Sequence, residues 1–361
     1  MHTQNRLSNL WSKRVLAAGI VAVAVSASTG QAVNVVLDFP GGATNFFYNN
    51  PTAQAAVQKA ASDLSSALTT NLSATTDTVT ANVSPSTVTY NFDLNYTDPN
   101  SVSNANVTLG NAAIPANEFR VFVGQRNLTG GTLGQGGPGG VGLAASGSGS
   151  NPTFPTAVSN ANALGTANFG RGGGPNYGTI TGSLGGNPIS VTTGPTNGNL
   201  WFDVDTDDVG GIDSASTLSS FWHYDANAPV AAGKIDLYSV ALHEIIHALG
   251  IGTSVSWTSN VSGGTNWIGT NVITLLGSGA NTVAGDGSHV AIGLNSPTLI
   301  GNILQETVMS PSIGFGQRKI LTLLDRAFLQ DINWTVAIPE PTTISVLVMA
   351  GAMALRRVRR A

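Results

Sequence analysis

Apolar and polar positions alternate with period two over STVTYNFDLNYT (86–97), where Val88, Tyr90, Phe92, Leu94 and Tyr96 share one face. That spacing predicts a half-buried strand. Shorter β-rich runs, VNVVLDF (33–39), EFRVFVGQ (118–125) and NLWFDVDT (199–206), predict three more. PTAQAAVQKAASDLSSALTTNL (51–72) changes period: Ala55, Val57, Leu64 and Leu68 fall near helical spacing. Residues 127–196 are rich in Gly, Asn and Ser, and predict long loops with one or two weak strands near YGTITGSL and PISVTT. RKILTLLDRAFLQDINW (318–334) carries an apolar stripe of Leu321, Leu324, Phe328 and Leu329 and predicts a helix. The order of strand, helix, strands and further helices points to an α+β domain, a twisted sheet backed by helices.

A further helix is predicted over KIDLYSVALHEIIHALG. Asp236 suits a helix N-cap and Gly250 suits the position after the helix end. Between them Leu242, Ile245, Ile246 and Leu249 cover most of the surface, so the helix is predicted to be buried on nearly all sides. At about 100° per residue, His243 and His247 lie about 40° apart, close enough for both rings to reach one ion. Glu244 is the only charge inside the helix. A buried carboxylate without a partner is expensive, and a metal with a water gives it one. With five His and four Glu in the chain, an H-E-x-x-H arises by chance on the order of one time in a thousand. Zinc suits such a site: imidazole nitrogens are good ligands, and three protein ligands leave one position open. Glu244 is then the candidate general base. A structural pair of buried histidines is the alternative.

Composition narrows the classes. The 361 residues include no Cys, which excludes disulfides, thiol nucleophiles and Cys-based zinc sites. The terminal segments hold Arg6, Lys13, Arg14, Arg356, Arg357, Arg359 and Arg360. Residues 33–339 are left with a net charge of −10, which argues against a nucleic-acid partner. Arg6, Lys13 and Arg14 precede the apolar run VLAAGIVAVAVSAS, the layout of a signal peptide over 1–32. An uncleaved anchor helix is the alternative. Five aspartates, Asp203, Asp205, Asp207, Asp208 and Asp213, cluster around glycines. Their alternating oxygens could take Ca2+, but no Gly follows Asp207 and no Glu closes the loop, so a solvated acidic loop is the other reading.

Two resemblances extend this reading. The tail IPEPTTISVLVMAGAMALRRVRRA (338–361) resembles the PEP-CTERM sorting signal of Gram-negative bacteria. That likeness implies a body over 33–338, a segment 339–361 held transiently in the inner membrane, processing by an exosortase-type enzyme, and delivery to the cell surface or extracellular matrix. A plain C-terminal anchor is the alternative. His243-Glu244-Ile-Ile-His247-Ala-Leu-Gly250 resembles the metzincin metalloproteases, and ETVMSP (306–311) resembles their Met-turn, with Met309 beneath the metal. The likeness implies a zinc endopeptidase acting on protein or peptide substrates.

The metzincin signature places a third His where this chain has Thr253, followed by Ser254. In the leishmanolysin-like branch an insertion precedes that His. This pattern implies His289 as third ligand after an insertion over 253–288, with Asp286 and Glu306 as alternatives. His223 is expected to be a surface or packed neighbour. A non-catalytic surface protein with structural zinc, and a polymer-binding adhesin, are the rival functional classes.

Overall fold

A computed structural model describes residues 33–337 except Val102 and Asn111; the expected leader (1–32) and sorting segment (339–361) lie outside the described residues. Along the chain stand β1 (Asn34–Asp38), α1 (Phe46–Asn49), α2 (Pro51–Ala67), β2 (Thr78–Val83), β3 (Ser86–Thr97), β4 (Asn106–Leu109), β5 (Glu118–Arg126), β6 (Gly134–Pro138) and β7 (Gly140–Ser148). Then come α3 (Thr153–Phe169), β8 (Gly178–Leu184), β9 (Asn187–Thr193), β10 (Asn197–Asp203), α4 (Ala215–Phe221), α5 (Leu237–Ala248), α6 (Val255–Thr258), α7 (Thr270–Leu276) and α8 (Leu323–Asp331). Several sheets and eight helices among the described residues are compatible with the α+β class.

Sheet one has the order β1-β5-β10-β6. The first three strands are parallel, and β6 closes the edge antiparallel to β10. Its core includes Phe119, Val121, Leu200 and Phe202 together with α2, α5 and α8. Parallel strands are covered on both faces, so β5 and β10 bury near-continuous runs rather than alternating ones. Sheet two is antiparallel, with β3 paired to β7 on one side and to β2 and β4 on the other. Here alternation holds: Val88, Tyr90, Phe92, Leu94 and Tyr96 of β3 point inward, most of them onto α3.

Strands β6 and β7 run almost continuously from one sheet to the other, with Gly139 at the junction. A Cβ there would lie 2.1 Å from the Asn197 side-chain nitrogen, which donates to the Asn95 carbonyl on β3. The Thr97 amide in turn donates to Asn199 Oδ1. Two asparagines of β10 therefore join the sheets, and only Gly leaves room for the first.

Several expectations need correction. Within 127–196 the strands expected near YGTITGSL and PISVTT are β8 and β9, but the rest is not long loops: it holds β6, β7 and the 17-residue α3. In α2, Ala53, Ala56, Val57, Ala60, Ala61 and Leu64 form the buried stripe, whereas Ala55 is exposed. The last helix begins at Leu323 rather than 318, because Arg318 and Lys319 are extended to bond Asp236 and Ser239. The stretch 253–288 is also more than a loop. Trp257 and Trp267 within it are buried and pack on each other and on Phe328 of α8.

Candidate metal centre

Helix α5 starts where Asp236 accepts the Ser239 amide and hydroxyl, and it is anchored from outside by Arg318, whose guanidinium grips the same carboxylate. It ends at Gly250, whose φ of 109° suits glycine. Two turns of this helix carry His243 and His247 on one face. The segment after the insertion brings His289 to them. His247 Nε2 lies 3.0 Å from His243 Nε2 and 3.2 Å from His289 Nε2. His243, His247 and His289 thus form a cluster that could hold a metal ion.

The opposite ring nitrogens decide what that cluster can hold. His243 Nδ1 is 2.8 Å from the Val308 carbonyl, and His247 Nδ1 is 2.8 Å from the Ile251 carbonyl. A carbonyl only accepts, so both Nδ1 atoms carry the proton and both Nε2 atoms present lone pairs. His289 Nδ1 meets the Asp286 carboxylate at 2.7 Å, so that nitrogen too carries a proton and Nε2 is the atom turned to the cluster. Lone pairs at such distances repel unless a cation stands between them. Three nitrogens bound to one zinc at about 2.0–2.1 Å would lie about 3.3 Å apart, so the donor set fits the ion. Burial, assisted by the neighbouring rings, holds His243 well below its ordinary pKa, and burial brings His247 down to about 4. Both favour the neutral form that a metal requires.

Glu244 is 5 % exposed and accepts no hydrogen bond from the described residues; burial pushes its carboxyl up to about 8. Edge strand β6 lies directly against it. A Cβ on Gly134 would come 3.1 Å from Glu244 Oε1, and one on Gly136 would come 2.4 Å from the Glu244 carbonyl. The glycine-rich run is therefore the wall that buries the carboxylate. Around the cluster opens a cleft of about 740 Å³, lined among others by Trp201, Val240, Val308, Pro311 and Ile313.

Met309 is fully buried beside this cleft. Its carbonyl accepts the Val290 amide, next to His289, while Val308 holds His243. Buried Asp325 fixes the turn by accepting the Val308 and Met309 amides, and also the Thr322 amide and hydroxyl in a capping box. Burial raises the Asp325 pKa against those bonds.

The other candidates stand elsewhere. Thr253 donates to the His247 carbonyl, and Ser254 caps α6 and donates to Gly250. Asp286 bonds the His289 ring, and Glu306 pairs with Lys319. His223 bonds the Asp225 carbonyl away from the cluster. Asp205, Asp207 and Asp213 do converge, but each accepts from an amide of its own loop, which accounts for their approach; Asp203 and Asp208 are not in that cluster.

Gly134, Gly136, Gly252 and Asp325 were not foreseen as site residues. At Gly252, with φ +77°, a Cβ would sit 2.3 Å from the Ser288 carbonyl and 3.1 Å from His247 Nδ1, so glycine lets the two histidine-bearing segments touch. Thr322-x-x-Asp325 was a readable capping signal; the close approaches had none. The chain matches no protein-family model, no curated protein and no solved structure.

Proposed function

We propose that this chain is an exported zinc endopeptidase of the metzincin type, with His243, His247 and His289 as ligands and Glu244 as general base. The observation that supports it is three imidazoles whose ring nitrogens converge beside a buried carboxylate that accepts no hydrogen bond from the described residues. Zinc, when bound, supplies Lewis acidity and lowers the pKa of water toward ~7. Glu244 takes the proton of the attacking water and hands it to the leaving amine. The β6 wall covers one side of the carboxylate, which also lines the cleft. A peptide would add to the sheet along β6, which pairs on one side only among the described strands. The Met309 turn, held by Asp325, keeps His243 aimed. The leader and the Pro-Glu-Pro tail support export and exosortase-type processing, with the mature body on the surface or in the matrix.

The test pairs metal analysis with casein hydrolysis, with and without a chelator. Glu244→Ala should keep its zinc and lose about 10²–10⁴-fold in turnover. Near-normal turnover in that variant would remove Glu244 from the mechanism. A zinc-loaded wild type without hydrolysis would favour the structural-zinc alternative.

A further inference from the structure

Two of the three imidazoles stand on a helix and bond neutral carbonyls; the third does not. His289 ends the turn Asp286–His289, outside any helix, and its side chain is 24 % exposed. Fixing such a ring costs rotamer freedom that α5 has already removed for His243 and His247. One carboxylate meets that cost twice. Asp286 Oδ1 accepts the amides of Ser288 (2.8 Å) and His289 (3.2 Å), and Oδ2 accepts His289 Nδ1 (2.7 Å). The ligand's backbone and ring are therefore referred to a single group. The rest of the turn is closed by Ala284 N–H on the His289 carbonyl and by the Trp257 indole on Gly287.

We propose that Asp286 is a positioning residue for the metal: it orients His289 and makes it a stronger donor. This rests on the cluster binding zinc. A charged acceptor is roughly twice as strong as a neutral one, and a carboxylate behind a ligating imidazole raises its basicity. The least restrained ring thus has the strongest outer partner. Asp286 is not itself in the converging cluster, and its carboxylate faces the turn amides and the back of the His289 ring.

Zinc dissociation constants, measured by chelator competition on the full chain, test this together with melting of the metal-free and zinc-loaded forms. Asp286→Ala should weaken zinc binding by about 10–100-fold while the metal-free midpoint stays near that of the wild type. Asp286→Asn has one carbonyl oxygen and can keep only the ring bond or the turn bonds, so it should fall between the two. If Asp286→Ala does not fold, the Asn variant decides alone: weaker zinc binding at unchanged metal-free stability supports the role, and equal binding overturns it. Wild-type affinity in Asp286→Ala, or an equal loss of stability with and without zinc, also overturns it. A wild type that binds no zinc removes the metal centre itself, whereas zinc-binding wild type with an unaffected variant removes only the Asp286 role.

Discussion

The two sheets bury different kinds of side chain. Around sheet one and its helices the interior holds Asp236, Glu244, His247, Lys319 and Asp325. Around sheet two it holds Ala81, Val88, Tyr90, Phe92, Phe169 and Val191, and no charged side chain is buried among the described residues of β2, β3, β4, β7, β8, β9 or α3. Most buried charges in the first region are satisfied: Asp236 by Arg318, Lys319 by Glu306, Asp325 by four donors. Glu244 accepts no hydrogen bond from the described residues, and its burial cost is left standing. Burial cost at an ionisable group in a cleft is the pattern expected of a functional site, which is why the proposed function is placed there. Sheet two carries no such cost and serves as framework.

The largest effect should come from breaking the site on the sheet-one side. His289→Ala should lower zinc affinity by more than the roughly 10–100-fold typical of an outer partner and abolish hydrolysis. Thr253→Ala should leave zinc bound, because its hydroxyl faces the His247 carbonyl and not the cluster. Metal content after dialysis, with both variants shown folded, separates the two; zinc loss in Thr253→Ala with retention in His289→Ala would reverse the ligand assignment.

Next in size are the two cores. Phe328 is fully buried against Trp257 and Trp267, and Phe92 lies 4.3 Å from Phe169 between ring centroids. Either change to Ala should cost about 3–5 kcal/mol in urea unfolding. Only Phe328→Ala should also weaken zinc binding, since α8 carries Asp325 and so the Val308 carbonyl that holds His243. An equal loss of zinc affinity in Phe92→Ala would show that the regions behave as one unit.

What could be read in advance divides along the same line. Helix α5 was legible down to its Asp236 cap and Gly250 end, because an apolar helix that places two His and a Glu within five residues incurs a burial cost that a metal site relieves. Strand β3 was legible because its outer residues are polar and its inner ones large. Helix α3 was not: Thr, Ser, Asn, Ala and Gly dominate it, and it packs through small residues, with Gly165 so close that a Cβ would lie 3.0 Å from Val191. Helices of this kind are held by tertiary contact rather than propensity. Strand β6 reads as a turn because its glycines answer to Glu244 across space, not to their neighbours. His289 emerged from a likeness and a scarcity of histidines. The Asp286 contact depends on how one turn folds, which no spacing rule reports.

The smallest effect is a slope. Burial holds Glu244 at about 8 in the folded chain against an ordinary 4.5, so the unfolded chain loses that proton first and stability falls as pH rises between those values. His243 and His247 act oppositely. With folded values depressed, they make stability rise with pH up to their ordinary 6.5. Above 6.5 the unfolded histidines finish losing their protons, which offsets part of the Glu244 decline. Metal-free protein should therefore still lose roughly 1 kcal/mol of stability between pH 6.5 and 8. Saturating zinc should flatten the decline, because a nearby cation favours the carboxylate. Glu244→Gln should flatten it without zinc. Urea unfolding of the wild type and this variant across that range measures both. A slope that survives in Glu244→Gln would mean that the unrelieved burial cost lies somewhere other than Glu244, and the contrast between the two sheets would have to be redrawn around that group.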